Sequence, residues 1–375
     1  MAKSRSRKKS AATTSSSLLR KLFYYLAALI TGSGAGSLAF PDIPVIGPAV
    51  NSAVQQLRQL STESSLPSIS TPQSTISHAT TSGVAPYPAT VHTVSATTQN
   101  PAPPRQPASN TIAIGSFNIQ VFGTSKINKH PTIDIIATVV RSFDVLAIQE
   151  IRTQDDHFLD QFMQLVNSTG SQYAYLIGPR LGRTSSKEQY AFLYNTARIE
   201  VSPTSVTTLL DPNDLLHREP FVALFRARDA PPAQAFTFWL VNIHTDPDEV
   251  ASEVSVLADA FQVVQQQGDD DVILLGDLNA SENQLGPLGK LPGIRCAITG
   301  IPTNTRGNKT YDNMIFDSRK TTEFTGQSGV WNLMASFGLT QEQALEISDH
   351  FPIGAIFSIY EGGQPSVAAM PNPPR

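Results

Sequence analysis

His244 closes the apolar run Phe236 to Ile243, and His350 stands between Asp349 and Phe351-Pro352, just ahead of another run, Ile353 to Ile359. An imidazole pair poised near neutrality can divide the proton work of a hydrolysis, one ring deprotonating a water and the other protonating a leaving alkoxide. Each ring needs a carboxylate to fix its tautomer, and Glu188 and Asp312 stand unpaired at neighbouring strand starts. A lone strand-end histidine is more often structural or solvated. His78, His92, His130, His157 and His217 lack comparable settings.

The run Val272-Ile273-Leu274-Leu275 delivers Asp277 and Asn279 two positions apart, with Gly276 freeing the backbone ahead of the acid. If the strand continues, alternation points the carboxylate and the amide to one face, where they suit a hard cation and a phosphoryl oxygen. The plainer reading is an Asp capping a turn with the Asn in the left-handed region. Gln149-Glu150 closes a second run, Asp144 to Ile148, in the same style. Mg2+ binds through one or two carboxylates plus substrate phosphate, so Glu150 with Asp277 would suffice. Glu150 alone is as readily an ordinary strand-end charge.

Such residues need a frame that ends its strands together. Ile112 to Ile114, Val145 to Ile148, Tyr190 to Tyr194, Phe236 to Ile243, Val272 to Leu275 and Ile353 to Ile359 read as buried strands, rich in β-branched and aromatic side chains. Helices are expected over Pro131 to Arg141, Phe158 to Val166 and Pro247 to Gln267, the last with Asp248 and Glu249 in its opening turn. The order mixes hairpins with crossovers, which favours an α/β sandwich of two packed sheets with outer helices over one doubly wound parallel sheet. Asn118, Glu150, His244, Asp277, Asn279, Asp312, Asp349 and His350 then lie mostly at strand ends, where loops gather sites.

Around this core the chain is uneven. Residues 1–110 hold 9 basic and 2 acidic residues, whereas residues 111–360 hold 17 and 28, so the folded part is acidic. A polyanionic substrate would therefore need metal ions or a local basic patch to be held. Basic residues up to Lys21 precede an uncharged stretch, Leu22 to Phe40. It fits a cleaved export signal ending near Ser37-Leu38-Ala39, or an uncleaved membrane anchor with its basic end inside; a buried helix behind a basic tail is the third reading. Ser, Thr and Pro make up 27 of the 50 residues from Ser61 to Asn110, a composition that cannot offset backbone ordering. The expected organisation is a basic amino-terminal signal or anchor (1–40), a disordered linker (41–110), a catalytic domain (111–360) carried outside the cytoplasm, and a disordered tail (361–375). One cysteine, Cys296, excludes an internal disulfide and a multi-cysteine zinc site.

Eight motifs follow one another in a familiar order: Phe117-Asn118-Ile119-Gln120-Val121-Phe122-Gly123, Gln149-Glu150-Ile151-Arg152, Lys187-Glu188-Gln189-Tyr190, Arg218-Glu219-Pro220, Asn242-Ile243-His244, Gly276-Asp277-Leu278-Asn279-Ala280, Tyr311-Asp312 and Ile347-Ser348-Asp349-His350-Phe351-Pro352. Together they resemble deoxyribonuclease I, of the endonuclease/exonuclease/phosphatase superfamily. The third and fourth blocks, Lys-Glu-Gln-Tyr and Arg-Glu-Pro, favour that branch over phosphatases and abasic-site enzymes. The resemblance implies a four-layer αββα sandwich with its site at one edge of both sheets. It implies metal binding by Glu150 and Asp277, with Asn118 and Asp349 completing a neighbouring metal or phosphate pocket, and Asn279 on the scissile phosphate. It further implies that His244 with Glu188 and His350 with Asp312 are acid/base couples, that Arg218 meets phosphate charge, and that Arg152 contacts the DNA minor groove. Mg2+ or Mn2+ is the implied cofactor, Ca2+ is implied without a legible ligand set, and DNA is the implied partner; no protein partner is inferred.

Where the resemblance has a groove-facing tyrosine and, in some members, an arginine, this chain has Ser186 and Gln120, so duplex grip would rest more on Arg183, Lys187 and Arg306. Lys309 takes the place of the family's disulfide cysteine. Two further readings stay open: a phosphodiesterase or phosphatase acting on a phospholipid or other phosphoester, and a non-enzymatic surface module on a stalk. The retention of both histidines and all the carboxylates speaks against the second.

Overall fold

A computed structural model of the chain describes residues 90–92 and 110–363. The signal or anchor expected over 1–40, most of the linker and the tail beyond 363 lie outside the described residues. Alternation along the strands sets the layering. In one strand, Val145 and Ala147 face one core while Leu146 and Ile148 face another, so both sides of the sheet are covered.

The first sheet runs β1 (Thr90–His92), β4 (Tyr173–Ile177), β5 (Gln189–Asn195), β3 (Val145–Ile151), β2 (Thr111–Phe122), β14 (Ile353–Ser358), β13 (Phe324–Val330). The second runs β11 (Ile294–Cys296), β12 (Asp312–Asp317), β10 (Val272–Asp277), β9 (Thr237–His244), β8 (Phe221–Ala227), β6 (Ile199–Val201), with β7 (Thr207–Thr208) beside β8. Between the sheets lies an aromatic core in which Phe192, Phe225, Phe236, Phe238 and Phe357 are fully buried, several stacked at centroid distances of 4.7 to 6.0 Å. Each such ring stabilises the sandwich by about 3–5 kcal/mol relative to Ala.

Helices α2 (Thr132–Arg141), α3 (Phe158–Asn167), α5 (Leu333–Phe337) and α6 (Gln341–Ile347) cover the outer face of the first sheet, following the short α1 (Thr124–Ile127). Helix α4 (Val250–Gln265) covers the second with Val254, Leu257, Ala258, Phe261 and Val264, an i, i+3, i+4, i+7 stripe. The result is the expected α/β four-layer αββα sandwich, with mixed sheets.

Several elements differ from expectation. Helix α4 begins three residues later than predicted, because Asp246 accepts the Asp248 backbone N–H in a turn and leaves Asp248 and Glu249 ahead of the first helical turn. Strands β4, β6, β7, β8, β11, β12 and β13 carry no prediction; β13 in particular has the polar sequence FTGQSGV and is largely exposed at a sheet edge. Within the stretch read as linker, β1 pairs antiparallel with β4. At the other end, Glu361–Gly363 is not frayed: Glu361 N–H donates to Gln234 O at 2.9 Å and Gly363 N–H to Tyr360 O at 2.9 Å.

Candidate active site

Three strands of the second sheet meet level at one edge, where β9 and β10 end and β12 begins. In the parallel pairing of β9 with β10, His244 stands opposite Asp277, and in the antiparallel pairing of β10 with β12, Asp277 stands opposite Asp312. The first sheet brings Asn118 opposite Gln149 where β2 and β3 pair, and both strands then bulge. The sheets are tied at this edge by Gln149 Nε2 donating to Asn242 Oδ1 (2.6 Å), while Asn242 Nδ2 donates to the carbonyls of Ile148 and Ala191. Sequence reasoning assigned no role to Asn242, although it precedes His244 by two on the same strand.

The geometry centres on one oxygen. Asp277 Oδ2 accepts from Asn118 Nδ2 at 3.0 Å and lies 3.5 Å from His244 Nε2 and 3.4 Å from His350 Nε2. Behind the rings, His244 Nδ1 meets Glu188 Oε1 and His350 Nδ1 meets Asp312 Oδ2, each at 2.7 Å. Each carboxylate thus fixes the ring so that Nε2 points to the cleft. Thr303 Oγ1 donates to Asp312 Oδ2 (2.7 Å), and the Tyr190 hydroxyl accepts the His244 backbone N–H (3.0 Å). Neither Thr303 nor Tyr190 was assigned a role from sequence.

Electrostatics follow from this packing. Burial, the largest effect on each ring, disfavours the imidazolium, but facing carboxylates outweigh it: Glu188 and Asp277 raise His244, and Asp312, Asp277 and Asp349 hold His350 well above the usual histidine range. Burial opposes ionisation of Asp277 and Glu188 as well, yet His350 and His244 pull Asp277 below the carboxylate range, and His244 does so for Glu188. Asp312 goes the other way, raised by burial and by the Asp277 charge.

Glu150 Oε1 accepts from Asn118 Nδ2 (3.3 Å) and Oε2 from the Val121 N–H (2.9 Å). Three of the four described non-glycine residues with positive φ belong to this edge: Val121 (49°), Glu150 (64°) and Asn279 (49°). For β-branched Val121 this is a strained conformation, held by the Glu150 contact. The strand does not continue to Asn279. It ends at Asp277, just past Gly276 (φ 143°), and the Asn279 N–H donates to Asp277 Oδ1 at 2.9 Å, so the capped-turn reading holds; the turn still brings Asn279 to the cleft.

Asn118, Glu150, Asp277, Asn279, Asp349, His244, His350, Arg152 and Arg218 all line one open cleft. Glu188 and Asp312 lie directly behind it. Arg218 is buried, its Nε donating to the His244 carbonyl at 3.1 Å and lying 3.5 Å from Glu188 Oε1. Arg152 lies at the rim with Nε 3.1 Å from Glu150 Oε2 and Nη1 donating to Ser186 Oγ at 2.7 Å. Arg183 is engaged by Asp214 and Glu249.

His217, set aside from sequence, also lines the cleft, with Nδ1 3.4 Å from Asp246 Oδ2 and Nε2 accepting the Arg183 N–H at 3.3 Å. The signal was its position directly before Arg218-Glu219-Pro220. Lys126 was missed too. Its buried Nζ donates to the Ile347 carbonyl, and burial lowers it to about 8 against the raising pull of Glu150 and Asp349.

The cleft fits a hard divalent cation. Asn118 Oδ1 and Asp349 Oδ1 are buried with no hydrogen-bond partner among the described residues, beside the carboxylates of Glu150 and Asp277. This donor set is all oxygen and carries three negative charges, as Mg2+ or Mn2+ prefers.

Residues 115–350 match the Endonuclease/Exonuclease/phosphatase family. Deoxyribonuclease-1-like 2 of Homo sapiens is 32% identical over 272 residues, spanning 64% of this chain and 90% of that protein. Deoxyribonuclease gamma of Rattus norvegicus is 30% identical over 257 residues and Deoxyribonuclease-1-like 1 of Cricetulus griseus 32% over 254, each spanning 64% of this chain and 82% of the relative. Among solved structures, the human Nocturnin catalytic domain with bound sulfate aligns with a TM-score of 0.44 and 16% identity over 68% of this chain and 96% of that one. With its strand-end residues in the order and setting described, the chain belongs to the endonuclease/exonuclease/phosphatase family, in the deoxyribonuclease I-like branch.

Proposed function

We propose that the chain is a divalent-metal-dependent endonuclease that hydrolyses DNA phosphodiester bonds with little sequence preference, leaving 5′-phosphate and 3′-hydroxyl ends. The observation that carries this reading is the pair of carboxylate-backed imidazoles whose Nε2 atoms lie 3.5 and 3.4 Å from one oxygen of Asp277. The relatives named deoxyribonucleases support DNA as the substrate.

Mg2+ or Mn2+, held by Glu150 and Asp277 with Asn118 and Asp349 beside them, would supply positive charge to the phosphoryl oxygens. The protein's own groups do the rest. One imidazole takes a proton from the attacking water as its oxygen bonds to phosphorus; the other gives a proton to the O3′ oxygen as the P–O3′ bond breaks. Glu188 and Asp312 hold each ring in register for that transfer. Asn279 presents its side chain at the cleft to the scissile phosphate, and Arg218 adds charge from beneath His244. Arg152 at the rim is the cation best set to meet the duplex, oriented by Ser186.

We further read the catalytic domain as exported, secreted or membrane-anchored, on the support of the basic residues up to Lys21 and the uncharged stretch Leu22 to Phe40. Protease accessibility on intact cells tests this, and a domain protected until lysis would refute it.

The nuclease reading is tested by nicking of supercoiled plasmid with the full-length protein in Mg2+, Mn2+ or EDTA, beside His244→Ala and His350→Ala. Nicking should require metal and fall at least ~100-fold in either variant with folding intact. Near-normal turnover in the variants would remove the acid/base assignment. Intact plasmid with the folded, metal-supplied wild type would remove DNA as substrate.

A further inference from the structure

Strand β10 carries Asp277 at one end and leads from Asp271 at the other, about 20 Å away along the strand. Around Asp271 the chain assembles a second group of carboxylates. One oxygen each from Asp271, Glu323 and Glu361 lies within 4.8 Å of the others. Asp271 is 3% and Glu323 2% exposed, and Glu323 Oε2 has no hydrogen-bond partner among the described residues. The Thr321 hydroxyl is also buried and faces Asp271 as a donor. No described Lys, Arg or His forms an ion pair with any of the three acids; Lys320, the near cation, is spent on Asp270 at 2.5 Å. Glu361 is exposed, so the group is open to solvent on one side.

Burying two acids beside a third, with one hydroxyl and two backbone N–H groups but no cation facing the three, is costly unless something else meets the charge. We infer that Asp271, Thr321, Glu323 and Glu361 form a structural site for a divalent cation of the calcium class. Four protein oxygens from three carboxylates and a hydroxyl exceed the one or two carboxylates that Mg2+ usually takes, and the open side leaves room for water in a seven- or eight-fold shell. The bound ion would clamp the last described turn to the sandwich. Glu361 Oε2 already accepts the Thr237 N–H at 3.3 Å at the start of β9, and Glu323 Oε1 accepts the Gly362 N–H at 2.6 Å. The competing arrangement is a shared proton between Asp271 and Glu361 in place of the ion.

Thermal unfolding of the full-length protein distinguishes the two at neutral pH. A Glu150→Gln/Asp277→Asn background removes the active-site carboxylates from the comparison. In that background Ca2+ should raise the melting temperature by several degrees over EDTA. Adding Glu323→Gln should abolish the Ca2+ increment and, by removing a repelling charge, leave the melting temperature in EDTA equal to or above that of the background. In the otherwise wild-type chain, Glu323→Gln should nick plasmid at the wild-type rate, which establishes that the variant folds. No Ca2+ increment in the background protein, or an increment that survives Glu323→Gln, would overturn the site and favour the shared proton.

Discussion

His350 illustrates what a buried residue at this site costs and gains. Three carboxylates face it, from Asp312, Asp277 and Asp349, and in the metal-free protein they hold its proton well above the ordinary value of 6.5 despite burial. A histidine whose folded pKa exceeds its unfolded one contributes stability that is complete below about 6.5 and is lost as pH rises through the folded value. Denaturant unfolding in EDTA should therefore show stability falling from pH 6 towards pH 9, with a flatter profile for His350→Gln. An identical pH profile for the two proteins would show that the ring is not held protonated. At Glu150 the test is metal affinity. Glu150→Gln keeps the acceptor for the Val121 N–H but removes a charge from the all-oxygen cluster, so half-maximal nicking should need at least ~10-fold more Mg2+. An unchanged Mg2+ titration would remove Glu150 from the metal set.

At the scale of the element, the site depends on where strands stop. Gly276 has φ 143°, and a Cβ there would meet the Ile243 carbonyl oxygen at 2.0 Å, a backbone atom of the neighbouring parallel strand. That contact cannot relax by a side-chain rotation. Gly276→Ala should therefore separate β10 from β9 at the level of His244 and Asp277, costing about 3 kcal/mol or more and lowering nicking with it. Unfolding by denaturant measures the first effect, and wild-type stability in the variant would show that the strand end tolerates a side chain. The buried amide of Asn242 works at the same scale, since its three hydrogen bonds reach from β9 to β3 and β5 and set the spacing of the two sheets beneath the cleft.

For the whole molecule the governing quantity is charge. Residues 111–360 carry an excess of 11 acidic residues, and both Arg152 at the cleft and Arg183 are already engaged by carboxylates. Phosphate neutralisation by the protein alone is therefore weak. Full-length His244→Ala should retard plasmid in a gel at low salt with Mg2+ and release it in EDTA. Equal retardation in both would place DNA binding on the protein's own surface instead of on the metal.

Much of this was open to a reading of the residues. The type and order of Glu150, Glu188, His244, Asp277, Asp312, Asp349 and His350 were legible because each follows or precedes an apolar run long enough to be a buried strand, and burial on both faces leaves only the strand ends for chemistry. The long hydrophobic strands and the three amphipathic helices were legible for the same reason, periodicity. Short or polar strands such as β13 were not, since pairing with β14 holds them and no local pattern does. Convergence on Asp277 Oδ2 was invisible: Asn118 reaches it across 159 residues, and His350 arrives from a different strand connection. His217, Lys126 and Asn242 acquired their places only through partners distant in the chain. The group at Asp271, Glu323 and Glu361 was hidden likewise, because two of its acids belong to segments that predicted nothing and the third to a stretch read as tail. The sequence by itself determined which groups exist and that strands deliver them; only tertiary packing decided which groups meet, because sheet order and register are set by contacts between residues far apart along the chain.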